Sequence, residues 1–188
     1  MNKNEILLKQ WVKESLDLKR VFFAENLEKL LKLHRWLKEV SEKGGRVYIF
    51  GNGGSAADAQ HFAAELMHRV EKGRIRIRAQ ALHTDTSLLT ALANDEGFDR
   101  VFAHQIALFG APGDLAIAIS TSGNSTNIVE AMNAARAAKC KTAGLLGRDG
   151  GKAAALCDLA LIVPGASTPR IQEVHGTIIH LICQLLEA

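Results

Sequence analysis

Residues 51–65 read GNGGSAADAQHFAAE, a glycine-rich turn followed by His61 and Glu65 four positions apart. Glycine turns of this kind cradle phosphate, and a His/Glu pair one helical turn apart serves proton chemistry or metal binding. At 100° per residue, Asp58, His61, Glu65 and Arg69 fall within about 80° on a helix over 55–70, with Phe62, Ala63, Leu66 and Met67 on the opposite side. A solvated face would also produce such a stripe, but its place beside a phosphate-type loop favours a site. The last helical stretch carries a matching stripe of Gln172, Gly176 and His180 among apolar residues. Gly176 removes bulk between the two polar side chains. Together, His61, Glu65, Gln172 and His180 make an N/O donor set suited to Zn²⁺ or another divalent metal.

A second loop, TSGNS, follows the apolar run LAIAIS, and each loop leads into a helix start, where free backbone N–H groups and the helix dipole favour an anion. Ser55, Ser120, Thr121, Ser122 and Ser125 add hydroxyl donors. Two simpler readings compete. Gly51, Gly53 and Ala56 fit the dinucleotide pattern G-x-G-x-x-A, but the acidic residue it requires would have to be Asp85, which comes late. Ser122 or Asn124 would also serve merely to cap the helix over 125–139. Two hydroxyl-rich loops at separate strand ends fit one phosphate monoester better than a dinucleotide.

These residues need a scaffold. Apolar residues at helical spacing over 4–43 (Ile6, Leu7, Trp11, Leu18, Phe22, Leu27, Leu30, Leu31, Leu37) predict one long helix or two in line, ended by Gly44-Gly45. That is more helix than one sheet needs, so part of its apolar face is expected to pack on another subunit. Strands are predicted over 46–50, 77–83, 115–120, 142–146 and 159–163. Helices are predicted over 55–70, 86–93, 98–109, 125–139, 151–157 and 170–187, with Pro164 and Pro169 bounding a loop. Strands alternating with helices give an α/β three-layer sandwich around a five-stranded parallel doubly wound sheet, preceded by long N-terminal helices.

A chain of 188 residues suggests a single domain over 1–188, and its 47% apolar content is enough for a real core without staples. Three widely spaced cysteines, Cys140, Cys157 and Cys183, read as reduced, buried thiols of a cytoplasmic protein. No apolar run approaches the ~18 residues of a membrane span. The basic cluster of Arg74, Arg76 and Arg78 fits a strand edge or subunit contact better than nucleic acid. Neither a membrane nor a nucleic-acid partner is expected.

In this order, GNGGSAADAQHFAAEL, ANDEGF, AISTSGNS, GRDGGK and RIQEVHGTIIH resemble the phosphoheptose isomerase branch of the sugar isomerase (SIS) domain family over almost the whole chain. The resemblance implies a homotetramer, with residues 1–45 used for oligomerisation and active sites between subunits. It also implies conversion of D-sedoheptulose 7-phosphate to D-glycero-D-manno-heptose 7-phosphate through an enediol, early in bacterial surface heptose (lipopolysaccharide core) synthesis. By resemblance, one zinc per subunit is held by His61, Glu65, Gln172 and His180. Substrate contacts fall on Asn52, Gly53, Gly54, Ser55, Glu65, Asn94, Asp95, Ser120, Thr121, Ser122, Ser125 and Gln172. Glu65 is the expected base, with His180 as its acid/base partner. The competing expectation is a non-catalytic SIS-domain tetramer that binds the bacterial replication initiator, a relative in which the acid/base positions are replaced.

Overall fold

The computed structural model describes residues 2–68 and 77–188. Arg69 of the polar stripe, and Arg74 and Arg76 of the basic cluster, lie outside the described residues. Helix α1 is one continuous element, Lys3–Glu42, rather than two helices in line. It starts where the Asn2 side chain accepts the Glu5 N–H at 2.8 Å. It stops at Gly44, whose φ of +68° suits glycine, while the N–H groups of Gly45 and Gly44 turn back to the carbonyls of Val40 and Ser41. From its middle onward it buries Phe22, Leu30, Leu33, Leu37 and Val40. Its N-terminal half leaves Ile6, Trp11 and Leu16 about half exposed.

The five strands are β1 (Arg46–Gly51), β2 (Arg78–Ala81), β3 (Leu115–Ser120), β4 (Lys141–Gly147) and β5 (Leu159–Val163). They lie in the order β2-β1-β3-β4-β5, and every pair is parallel. Because helices cover both faces, the central strands β1, β3 and β4 are buried almost throughout, whereas edge strand β2 alternates exposed Arg78 and Gln80 with buried Ala79 and Ala81. Val47, Ile49, Ile117, Ile119, Leu145 and Leu161 pack against α1, α2 (Gly54–His68) and α7 (Thr168–Glu187). Tyr48, Phe50, Ala116, Ala118 and Leu146 pack against α3 (Thr86–Asp95), α4 (Ala103–Phe109), α5 (Thr126–Ala137) and α6 (Gly151–Ala154).

Four local expectations are corrected. The stretch 98–109 divides into a 3₁₀ turn at Phe98–Arg100 and the short α4. The helix expected over 151–157 stops at Ala154. Helix α7 begins at Thr168, so Pro169 lies inside its first turn, where its missing N–H removes no helical bond. Met67 is half exposed and does not share the burial of Phe62, Ala63 and Leu66. All three cysteines are free thiols. Burial pushes Cys140 up to about 11 and Cys157 up to about 12, so neither is a ready nucleophile.

The chain leaves β1 toward β2 on one side and returns to β3 on the other. The carboxyl ends of β1 and β3 therefore bound a crevice at the topological switch point, where open α/β sheets bind ligands. Both glycine- and serine-rich loops open there.

His175 ties α7 to the sheet at this end. It is fully buried, and its Nε2 lies 3.3 Å from the carbonyl oxygen of Leu146, to which the neutral ring donates. Burial pushes its pKa down to about 4, against a smaller upward pull from that hydrogen bond. The unfolded imidazole titrates near 6.5, so between those values the unfolded chain binds the extra proton. Stability is complete above about 6.5 and falls as the pH drops toward 4, by about 3 kcal/mol from this residue. Urea denaturation at pH 7 and pH 4.5 is expected to show the loss. His175→Gln should be less stable at pH 7 yet lose less on acidification.

Candidate active site

The first loop is tight because Asn52 and Gly53 close it with their own carbonyls. The Ser55 N–H donates to Asn52, and those of Ala56 and Ala57 donate to Gly53. Gly53 has φ +55°, which suits glycine. Ser55, on the first turn of α2, is 4% exposed. Its hydroxyl makes no hydrogen bond among the described residues.

In the second loop the serines divide their work. Ser120 Oγ accepts the Gly123 N–H at 3.0 Å, and Ser122 Oγ accepts the Asn124 N–H at 3.2 Å. Asn124 also donates to the Ser122 carbonyl and accepts the Lys152 N–H. Ser122 and Asn124 thus shape the loop, and neither caps α5. The capping position is Ser125, whose hydroxyl makes no capping bond. Helix capping therefore does not account for this hydroxyl-rich segment. Among the described residues the hydroxyls of Ser55, Thr121 and Ser125 are not engaged, and all three stand at the switch point. Asp85, the acid a dinucleotide reading would require, is spent: its carboxylate caps α3 by accepting the Leu88 N–H at 2.9 Å. Asn94 and Asp95 lie at the exposed end of α3, where the Asn94 amide donates to the Asp95 carboxylate at 2.7 Å. No hydrogen bond among the described residues joins them to either loop.

Helices α2 and α7 pack side by side on one face of the sheet, and this brings the two polar stripes together. His61 Nε2 lies 3.2 Å from His180 Nε2, with the rings 4.9 Å apart and edge-on. Glu65 Oε1 lies 3.6 Å from His61 Nε2. Gln172 crosses over the first loop, and a Cβ at Gly54 would overlap its side-chain amide. Above Gly176 the space is open: a Cβ there meets nothing within 4 Å. Asp58 stands one turn before His61; burial raises its pKa, with His61 pulling the other way.

Two nitrogens bound at about 2.0–2.1 Å to one tetrahedral zinc are about 3.3–3.4 Å apart. The His61–His180 separation matches that edge, and the Glu65 carboxylate and the Gln172 amide oxygen complete an N/O donor set. Among the described residues no three His, Cys, Asp or Glu side chains already form a cage. The arrangement is two close pairs sharing His61. The donors fit zinc in type and in their one imidazole spacing.

One residue escaped the sequence reading. Asn127, 2% exposed, exchanges two hydrogen bonds with Asn52, at 2.9 and 3.0 Å. A signal for it existed: Asn127 lies on the same row of α5 as the buried Ala131 and Ala135, a polar residue on an apolar stripe.

The Gly54 contact yields a prediction. The group in the way is the end of a flexible side chain, so Gly54→Ala should fold with little loss of stability while pushing Gln172 aside. Displacing a site residue by about 1 Å costs up to about 10²-fold in rate. A melting temperature near wild type with kcat/KM about 10- to 100-fold lower is expected.

Comparison with known proteins places this geometry. Residues 10–147 match the family model for the SIS domain, so this is a SIS-domain protein. A phosphoheptose isomerase of Trichlorobacter lovleyi is 49% identical over 87% of this chain and 84% of its own length. One from Solidesulfovibrio magneticus is 46% identical over the whole of this chain and 92% of its own. The solved structure of the phosphoheptose isomerase from Neisseria gonorrhoeae covers 99% of both chains with a TM-score of 0.91 at 40% identity. The chain belongs to the phosphoheptose isomerases of the SIS domain family.

Proposed function

We propose that this protein interconverts D-sedoheptulose 7-phosphate and D-glycero-D-manno-heptose 7-phosphate. The observation that carries the reading is the meeting of His61, Glu65 and His180 beside two hydroxyl-lined loops. Thr121, Ser125 and Ser55, with the loop backbone, hold the phosphate, aided by the start of α5. This leaves the C1–C2 end of the sugar for the His/Glu cluster. Glu65 removes the proton from C1 of the ketose as the C2 carbonyl oxygen takes one up, giving the enediol. His180 carries the oxygen-bound proton. The C1 hydroxyl then loses its proton as the C1 carbonyl forms, and C2 receives a proton. Gln172 orients the oxygens between them. His61, Glu65, Gln172 and His180 would hold one zinc ion, which polarises the carbonyl and stabilises negative charge on oxygen. The direct test is incubation of purified protein with sedoheptulose 7-phosphate; an aldose phosphate product is expected.

The reading extends to a homotetramer with sites at subunit boundaries, working in the cytoplasm toward surface heptose. The support is the apolar N-terminal half of α1, together with Leu27, Leu31, Leu181 and Leu185, which stay partly exposed along α1 and α7. Sedimentation is expected to give a species four times the 20.4 kDa chain; an active monomer would contradict it. Among the described residues, no helix is long and apolar enough to cross a membrane. A non-catalytic scaffold binding the replication initiator is disfavoured because Glu65 and His180 are both present and meet at His61.

A further inference from the structure

We propose that Asn127 is a positioning residue for substrate phosphate, acting through Asn52. This rests on the isomerase reading above and adds a residue that does not itself touch the sugar. The pairing of β1 with β3 ends at Gly51 with Ile119, just before the two loops. Among the described residues, the side-chain hydrogen bonds that join 51–55 to 120–127 are the two between Asn52 and Asn127. Asn52 Nδ2 donates to Asn127 Oδ1 at 2.9 Å, and Asn127 Nδ2 donates to Asn52 Oδ1 at 3.0 Å. Asn127 follows Ser125 by two residues in the first turn of α5, and Asn52 precedes Ser55 by three. The amide pair therefore helps to set the separation between two hydroxyls on loops that no other side-chain hydrogen bond among the described residues joins.

A purely structural account leaves the residue type unexplained. Asn127 shares its helix row with Ala131 and Ala135, and an aliphatic side chain there would bury without a polar cost. An amide at this place is tolerated because its partner is fixed, and what the bond adds is geometry. It also changes what Asn52 does. One N–H and one oxygen lone pair of its amide are held by Asn127, which fixes the plane of the Asn52 amide and the direction of its remaining N–H and lone pair.

A double-mutant cycle of Asn52→Ala, Asn127→Ala and the double variant tests this. The readouts are KM for sedoheptulose 7-phosphate, the inhibition constant of inorganic phosphate, and kcat. Each single variant is expected to raise KM and the phosphate constant together by about tenfold, with kcat changed less. The double variant should be no worse than the worse single one, because both break the same link. Thermal melting checks folding; if Asn127→Ala does not fold, Asn127→Asp keeps the shape, removes one donor, and replaces it in the cycle. Folded variants with KM and phosphate constant within twofold of wild type would overturn the proposal. So would single-variant factors that multiply in the double. If the wild-type protein turns over no sugar phosphate, the isomerase reading fails. The amide pair is then judged on the shift in melting temperature that inorganic phosphate produces in wild type and is expected to lose in the variants.

Discussion

Glu65→Gln and His180→Gln are each expected to lower kcat about 10²- to 10⁴-fold, the usual cost of losing a positioned acid or base. The geometry argues that this loss will not come from unfolding. His180 is exposed on α7, and Glu65 lies on the stripe facing it, while the packing of these helices rests on Phe62, Leu66, Ile171, Ile178 and Ile182. Both substitutions keep a polar side chain of similar size outside the apolar packing, so melting temperature and oligomer should stay near wild type. Rates for both directions of the isomerisation, measured on the same preparations, provide the check. Near-normal turnover in either variant would remove that residue from the chemistry.

The second large effect is expected on His61, which both close pairs share. Its replacement by alanine takes one ligand from the proposed zinc set and separates Glu65 from His180. Zinc content should fall well below one per subunit, and activity should fall at least as far as in the Glu65 variant. Treatment of the wild-type protein with a chelator should reproduce the loss, and added zinc should restore it in wild type but not in His61→Ala. Metal content and rate together separate the roles. Full zinc with lost activity in the Glu65 or His180 variants would keep those residues in the chemistry and take them out of the ligand set. Wild-type activity that survives complete zinc removal would leave the cluster working as a metal-free acid/base pair.

Much of this molecule was legible in local pattern. The strands at 115–120 and 159–163 match their apolar runs, because a strand buried on both faces needs an unbroken apolar segment and ends where glycine, serine or proline begins. The end of α1 was legible for the same kind of reason: Gly44-Gly45 supplies the left-handed turn that closes a helix. Spacing also aligned His61 with Glu65, and Gln172 with His180 by way of Gly176, since residues four apart share a helical face. Less local features escaped. Nothing in 98–109 announced that the helix would break after Arg100, where packing rather than propensity decides. The burial of Asn127 depended on which row of α5 meets the sheet.

The sequence by itself determined the α/β alternation, the two loops at strand ends and the two polar stripes, each written in residues within about ten positions of one another. Only the tertiary structure decided that the stripes meet. His61 and His180 are 119 residues apart, and their 3.2 Å approach exists because α2 and α7 cross to the same face of the sheet. The same holds for the two loops. They became one crevice because the strand order puts β3 beside β1, and Asn52 and Asn127, 75 residues apart, lock them together. Spacing along a chain sets which residues share a face; which faces meet is set by how the sheet is ordered and by which helices pack on each side of it.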